Sequence, residues 1–183
     1  MEDSGGQECY ESVDLPSLYN DPNQWWHVAV SVDRNGTSTF YVDGLFFGVD
    51  VLRVQEVIRF QEMTRVPLAS AVVSGLINLR GQIVTAIDLR RRLVLTERPA
   101  DQLPMNVVVR TDDGAVSLLV DEIGDVLEVD ESTYERPPET LTGAARQIVR
   151  GVYKLKDRLL LIIDADQTLD LHEKINSGLG KIA

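Results

Sequence analysis

The sequence is poor in the residues that most protein chemistry needs. It holds one cysteine, Cys9, and two histidines, His27 and His172, among 183 residues. A lone cysteine cannot close an internal disulfide, which fits a reducing compartment. The two histidines sit in unrelated terminal contexts, whereas a nucleophile–base pair or a zinc site needs convergent His, Cys or carboxylate groups. No GxxxxGK[ST] phosphate loop occurs. Acidic runs such as Asp112-Asp113 lack EF-hand spacing and read as solvated turns. The expectation is a protein that acts by binding alone, with no catalytic residue, no metal and no cofactor.

Other absences narrow the partners. No apolar run reaches eighteen residues, so direct membrane insertion by a helix is not expected. The opening Met1-Glu2-Asp3-Ser4-Gly5-Gly6 has neither a basic nor an apolar region, so no secretory signal is read there. With 18 Lys and Arg against 29 Asp and Glu, the net charge of −11 argues against a nucleic-acid partner. The charge is also uneven. Residues 111–140 carry ten acidic residues and only Arg136 in opposition, whereas Arg80, Arg90, Arg91, Arg92 and Arg98 make 80–98 basic. Such runs ordinarily mark solvated faces; the functional alternative is two surfaces suited to different partners. At 44% hydrophobic residues, the chain has enough apolar material for one core or two small fused ones.

What is present concentrates in residues 72–89. Two apolar runs flank the polar break Asn78 to Gln82. This reads as a strand, a tight turn at Arg80-Gly81, and a second strand whose Ile83, Val84 and Ile87 suit a pleated core. Gly81 supplies positive φ, and the turn presents the rigid donor fork of Arg80. Arg80 is either a contact residue or the partner of a carboxylate, with Glu56 one candidate.

The chain also repeats itself. Val73-x-Gly75, followed thirteen residues on by Asp88, is echoed by Val149-x-Gly151 and, thirteen on, Asp164. Asp43-Gly44 and Glu56-Val57 are echoed by Asp113-Gly114 and Asp125-Val126, and Pro67 by Pro137-Pro138. Offsets stay between 69 and 76 residues, which argues for two similar subdomains rather than a solenoid. The remaining pattern is mainly β. Hairpins are expected at Asp43-Gly44, across Asp112-Asp113-Gly114, and across Lys156-Asp157-Arg158. A strand is expected over 51–58, a helical turn over 69–73, a short helix or a strand end at 89–95, a short helix or loop at 143–148, and a helix from Ala165 to about 175.

Five segments together resemble the CheW family. They are Val51-Leu52-Arg53-Val54-Gln55-Glu56-Val57-Ile58; Thr64-Arg65-Val66-Pro67; Gly75-Leu76-Ile77-Asn78-Leu79-Arg80-Gly81; Val120-Asp121-Glu122-Ile123-Gly124-Asp125-Val126; and Arg150-Gly151-Val152 leading to Leu161-Ile162-Ile163-Asp164. Their order and spacing span residues 39–171. Where the family often has Ala-Pro this chain has Ala69-Ser70. The resemblance implies an all-β fold of two interleaved, five-stranded SH3-like β-barrels. It also implies a non-catalytic scaffold in the cytoplasm, recruited to membrane receptor arrays. Such a scaffold couples the cytoplasmic tip of chemoreceptors to the regulatory domain of the histidine kinase CheA. The residues it marks for partner binding are Val54, Glu56, Gly75, Asn78, Arg80 and Gly81.

Residues 1–36 lie outside that resemblance. Segment 24–44, with Trp25, Trp26 and the Asn35-Gly36 turn signal, is similar instead to a laminin-G or concanavalin-like strand pair. The expected organisation is an N-terminal extension with a hairpin over 1–36, a CheW-like domain over 37–171, and a tail over 172–183. The competing functional readings are a surface or secreted glycan-binding module led by segment 25–44, and a CheW-like domain detached from a larger signalling protein.

Overall fold

The structure, a computed structural model, describes residues 36–169. Eleven strands account for about half of them: β1 (Gly36–Val42), β2 (Leu45–Asp50), β3 (Val54–Ile58), β4 (Val73–Leu79), β5 (Gln82–Asp88), β6 (Met105–Thr111), β7 (Gly114–Val120), β8 (Glu122–Glu128), β9 (Tyr134–Glu135), β10 (Val149–Lys154) and β11 (Leu159–Ile163). Three short helices join them: α1 (Leu89–Arg92), α2 (Gly143–Ile148) and α3 (Ala165–Leu169).

The strands form two sheets, ordered β8-β1-β2-β11-β10-β9 and β3-β6-β7-β5-β4. The first half of the chain gives β1 to β5 and the second gives β6 to β11, yet each sheet draws on both. The hairpin β1–β2 sits with β8, β10 and β11, while the equivalent hairpin β6–β7 sits with β3, β4 and β5. In each sheet one pairing is parallel, β2 with β11 and β5 with β7. The interleaving expected from the resemblance is therefore present. The first sheet gains a sixth strand, the two-residue β9, beyond the five anticipated.

The duplication has physical content at each echoed residue. Val73-x-Gly75 and Val149-x-Gly151 both open a strand with a bulge in its pairing to the next. Asp88 and Asp164 both cap a helix, accepting from the N–H groups of Arg90 and Arg91 in one case and of Asp166 and Gln167 in the other. Their own N–H groups donate to Val72 O and Ile148 O, at 2.9 and 2.8 Å. The glycines of the pair are required by close approach. A Cβ on Gly75 would lie 2.7 Å from Thr64 O and 2.9 Å from Met63 Cβ, and one on Gly151 would strike the Tyr134 ring. Thr64 bridges to Leu76 much as β9 pairs with β10, so a short crossing segment covers the glycine in each half.

One apolar core serves both sheets. It includes Phe40, Val42, Phe47 and Val49 from β1–β2, Ile87 from β5, Val107 and Val109 from β6, Leu118 and Val120 from β7, and Ile163 from β11. Phe40 faces Phe47 across the hairpin with ring centroids 6.0 Å apart, and neither is more than 1% exposed. Each such side chain contributes about 1.5–3 kcal/mol by leaving water.

Several expectations change. Residues Val51–Arg53 form a 3-10 turn capped by the Asp50 side chain, so the strand begins at Val54. Residues 69–73 form turns closed by Ala69 N–H to Val66 O and Val73 N–H to Ser70 O rather than a helix. Ile83 is 61% exposed and not in the core, because alternation along β5 sends Val84 inward instead. The basic run is not a solvated face throughout: Arg90 and Arg92 are buried. The first strand of the hairpin expected at Asn35-Gly36 and the tryptophans Trp25 and Trp26 lie outside the described residues, as do the positions beyond Leu169 over which the last helix is expected to run. Of the residues expected in that hairpin, 36–42 are described, as β1, which is paired along one edge with β2 and along the other with β8.

Candidate functional site

The β4–β5 turn is built by its own side chains. Arg80 and Gly81 both adopt left-handed backbone, φ 51° and 91°, the shape of a type I′ turn that matches strand twist. A non-glycine residue there is strained, and Asn78 compensates by accepting the Gly81 N–H on Oδ1 at 2.8 Å. Strand pairing at Leu79–Gln82 and Asn78–Ile83 holds the turn from below. Arg80 is thus fixed at its backbone while its side chain is 68% exposed.

Arg80 Nη2 donates to Glu56 Oε2 at 3.2 Å. Glu56 lies on β3, opposite Val108, and the bulge at Gln55 interrupts the alternation between Val54 and Glu56. Val54 consequently packs toward the core while Glu56 reaches Arg80. The structure thus brings Glu56, Asn78, Arg80 and Gly81 together around one hairpin tip, with Val54 two residues away at the base. Gly75 is placed differently. It is buried beneath Met63 and Thr64, where it lets two backbones meet. Beside the charged tip, Ile83 presents an exposed apolar side chain across from Asn78. Nothing in the adjacent apolar pair Ile83-Val84 marks Ile83 as the outward one, so a reading by residue type places both inside.

At the other end of β5 lies a buried ionic cluster. Arg90 holds Asp121 through Nε at 2.9 and 3.0 Å and Nη2 at 2.7 Å, and its Nη1 reaches Asp43 at 3.0 Å. Arg98 Nε donates to the same Asp121 at 3.0 Å, and the Asp43 N–H donates to it at 2.6 Å. Asp43 belongs to the β1–β2 turn and Asp121 follows β7, so the cluster ties one sheet to the other. Burial pushes the Asp121 carboxyl upward. Hydrogen bonds from Arg90 and the Asp43 N–H, with the charges of Arg90 and Arg98, outweigh that and hold it below the ordinary carboxylate range. The Arg90 guanidinium is held above its ordinary value, first by its hydrogen bond to Asp121.

Among the described residues no three His, Cys, Asp or Glu side chains converge as metal ligands would. Cys9, His27 and His172 lie outside those residues. No described helix is long and apolar enough to cross a membrane.

Comparison with known proteins follows the same boundaries as the fold. Residues 37–173 match the family model described as the CheW-like domain. The chemotaxis protein CheW of Bacillus subtilis is 36% identical over 131 residues, 72% of this chain and 84% of that protein. CheW of Treponema pallidum is 27% identical over 141 residues, 75% of this chain and 83% of its own. Among solved structures, the scaffolding protein TtCheW from Thermoanaerobacter tengcongensis superposes with a TM-score of 0.70 at 26% identity. That match covers 76% of this chain and 95% of the other.

Proposed function

From the premise that this chain belongs to the CheW family, we propose that it is a non-catalytic adaptor coupling chemoreceptors to the histidine kinase CheA in chemotaxis signalling. It works by binding the cytoplasmic tip of a methyl-accepting receptor and the regulatory domain of the kinase, and so operates in the cytoplasm at membrane receptor arrays. The observation that carries this reading is the family match across nearly all the described residues, in a chain of the same two-sheet architecture as a scaffolding protein. The CheW-like unit is residues 37–171, with 1–36 an accessory extension and 172–183 a tail.

The hairpin tip supports the reading chemically. A guanidinium fixed by a type I′ turn, with an exposed isoleucine beside it, gives the charged and apolar anchors on which exchangeable interfaces depend. In this reading Arg80 and Glu56 meet the partner, Val54 anchors their strand to the core from the other face, and Asn78 and Gly81 set the turn. Gly75 supports the strand from beneath. The contact needs no covalent step.

Titration calorimetry of the full chain against a purified CheA regulatory domain, and separately against a receptor cytoplasmic tip, tests it. An affinity near micromolar, about −8 kcal/mol, is expected for an exchangeable contact. Absence of heat and of a gel-filtration complex at about 100 µM, roughly a hundred times that constant, would overturn it.

A further inference from the structure

The chain enters β1 at Gly36, and the place of entry restricts where the preceding residues can pair. A two-residue turn at Asn35-Gly36 would lay them along an edge of β1. Both edges are taken. Thr37 pairs with Asp50 of β2 on one side and with Leu127 of β8 on the other, and each ladder runs on to Tyr41. The alternating Trp26, Val28, Val30 and Val32 have the period of a strand and must find another ladder.

That ladder is one strand away. β8 stands at the margin of its sheet and pairs with β1 alone, and no backbone hydrogen bond from the described residues reaches its other side. Gly36 is in register with Glu128, the last residue of β8, so the chain enters beside the end of this free edge. A strand beyond β8 would lie about 10 Å from β1, two strand spacings. Residues 33–35 span about 10 Å when extended, enough to cross the end of β8. A segment returning this way runs antiparallel to β1 and hence parallel to β8. The remaining margins are less accessible: three strands separate β9 from β1, and β3 and β4 belong to the other sheet.

Charge and exposure fit the same occupant. The exposed Glu122, Asp125 and Glu128 of β8 would repel an acidic strand. Residues 1–35 carry seven Asp and Glu, yet 22–32 hold no Asp, Glu, Lys or Arg and form the longest such run there. Val126, in register with Ser38 near the entry, is 38% exposed, and Leu127 on the opposite face is only half-buried. β8 thus leaves apolar surface uncovered on both faces. We propose that residues 26–32 of this same chain add to β8 as a parallel edge strand, a seventh in that sheet, and close the acidic edge to other extended peptides.

Amide hydrogen exchange followed by NMR on the full chain tests this, with Val30→Pro/Ser31→Pro as the comparison. Of two adjacent strand residues one donates into any given ladder, so the double variant removes a donor in either register. The β8 amides that face away from β1 are expected to exchange about tenfold or more slowly in the unaltered chain than in the variant. Backbone NOEs between 26–32 and β8 should accompany that protection. They decide the matter by themselves if the variant disturbs more than this edge. The proposal is overturned if those amides exchange equally fast in both chains and no such NOE appears. It is equally overturned if the protection falls on β9, β3 or β4, or if it fades on dilution, which would mean a strand exchanged between copies.

Discussion

Glu56 and Arg80 meet at 3.2 Å although they stand on opposite edges of one sheet, β3 at one margin and the tip of β4–β5 at the other. The sheet curls far enough for its two margins to touch through side chains. An ion pair in that position either fastens the curl or holds an arginine ready for another molecule, and the magnitudes favour the second. Arg80 is 68% exposed, and exposed pairs contribute about 0–1 kcal/mol.

Arg80→Ala is therefore expected to leave the melting temperature within a few degrees of wild type and to weaken binding of the kinase regulatory domain or receptor tip about tenfold or more. Arg80→Lys should not restore binding where both guanidinium nitrogens are engaged. Calorimetric titration beside thermal melts separates the outcomes; a large loss of stability with unchanged binding would make Arg80 a structural residue.

Asp121 should behave in the opposite way. Breaking a buried pair by removing one partner costs about 3–5 kcal/mol, so Asp121→Asn is expected to destabilise strongly near neutral pH. Its folded-state pKa lies below the unfolded one. The carboxylate's contribution is thus complete above about pH 4 and vanishes as pH falls through the folded value. Urea unfolding from pH 6 downward should show a steeper acid loss in wild type than in Asp121→Asn; parallel curves would remove Asp121 from that role.

The two covered glycines separate a rigid obstacle from a movable one. Gly75→Ala drives a methyl against the Thr64 carbonyl, which is backbone, and overpacking of that kind costs about 1–3 kcal/mol. Gly151→Ala meets the Tyr134 ring, which is 36% exposed and able to swing out. Gly75→Ala should accordingly be the more destabilising by chemical denaturation; the reverse order would show that Tyr134 is held as firmly as the backbone.

Removal of residues 1–35 should leave a cooperative melt, because residues 36–169 hold both repeat halves and a shared core running from Phe40 to Ala165. A shift of a few degrees is expected by calorimetry. Loss of cooperativity would place Trp25 and Trp26 in the core.

The turns were the most legible part of the sequence, because Asp-Gly, Arg-Gly and Asp-Asp-Gly demand backbone shapes that few other contexts allow. The duplication was legible too, since Val-x-Gly and the capping aspartates each perform one mechanical task twice. β8 was not read as a strand from its pattern. It lies at a sheet edge with Glu122, Asp125 and Glu128 exposed, and so lacks the apolar alternation that announces strands. The burial of Arg90 and Arg98 was likewise hidden. Their partner Asp121 is far off in the chain, and local charge counts make such residues look like surface. At the candidate site the arginine and its turn were readable, whereas the bulge at Gln55 that aims Glu56 was not.

The interleaving of the halves also governs the order in which the chain can be completed during synthesis. The hairpin β1–β2 is made first, but Phe47 pairs in parallel with Leu161 and Phe40 with Ile123, both supplied much later. Until β11 leaves the ribosome, Phe46, Phe47 and Val49 remain without the neighbours that bury them, and pairing so distant in sequence is slow to form. A growing chain of this protein thus carries an unfinished sheet through nearly its whole translation, and its dependence on chaperones should be set at the N-terminal hairpin rather than at the last strand to emerge.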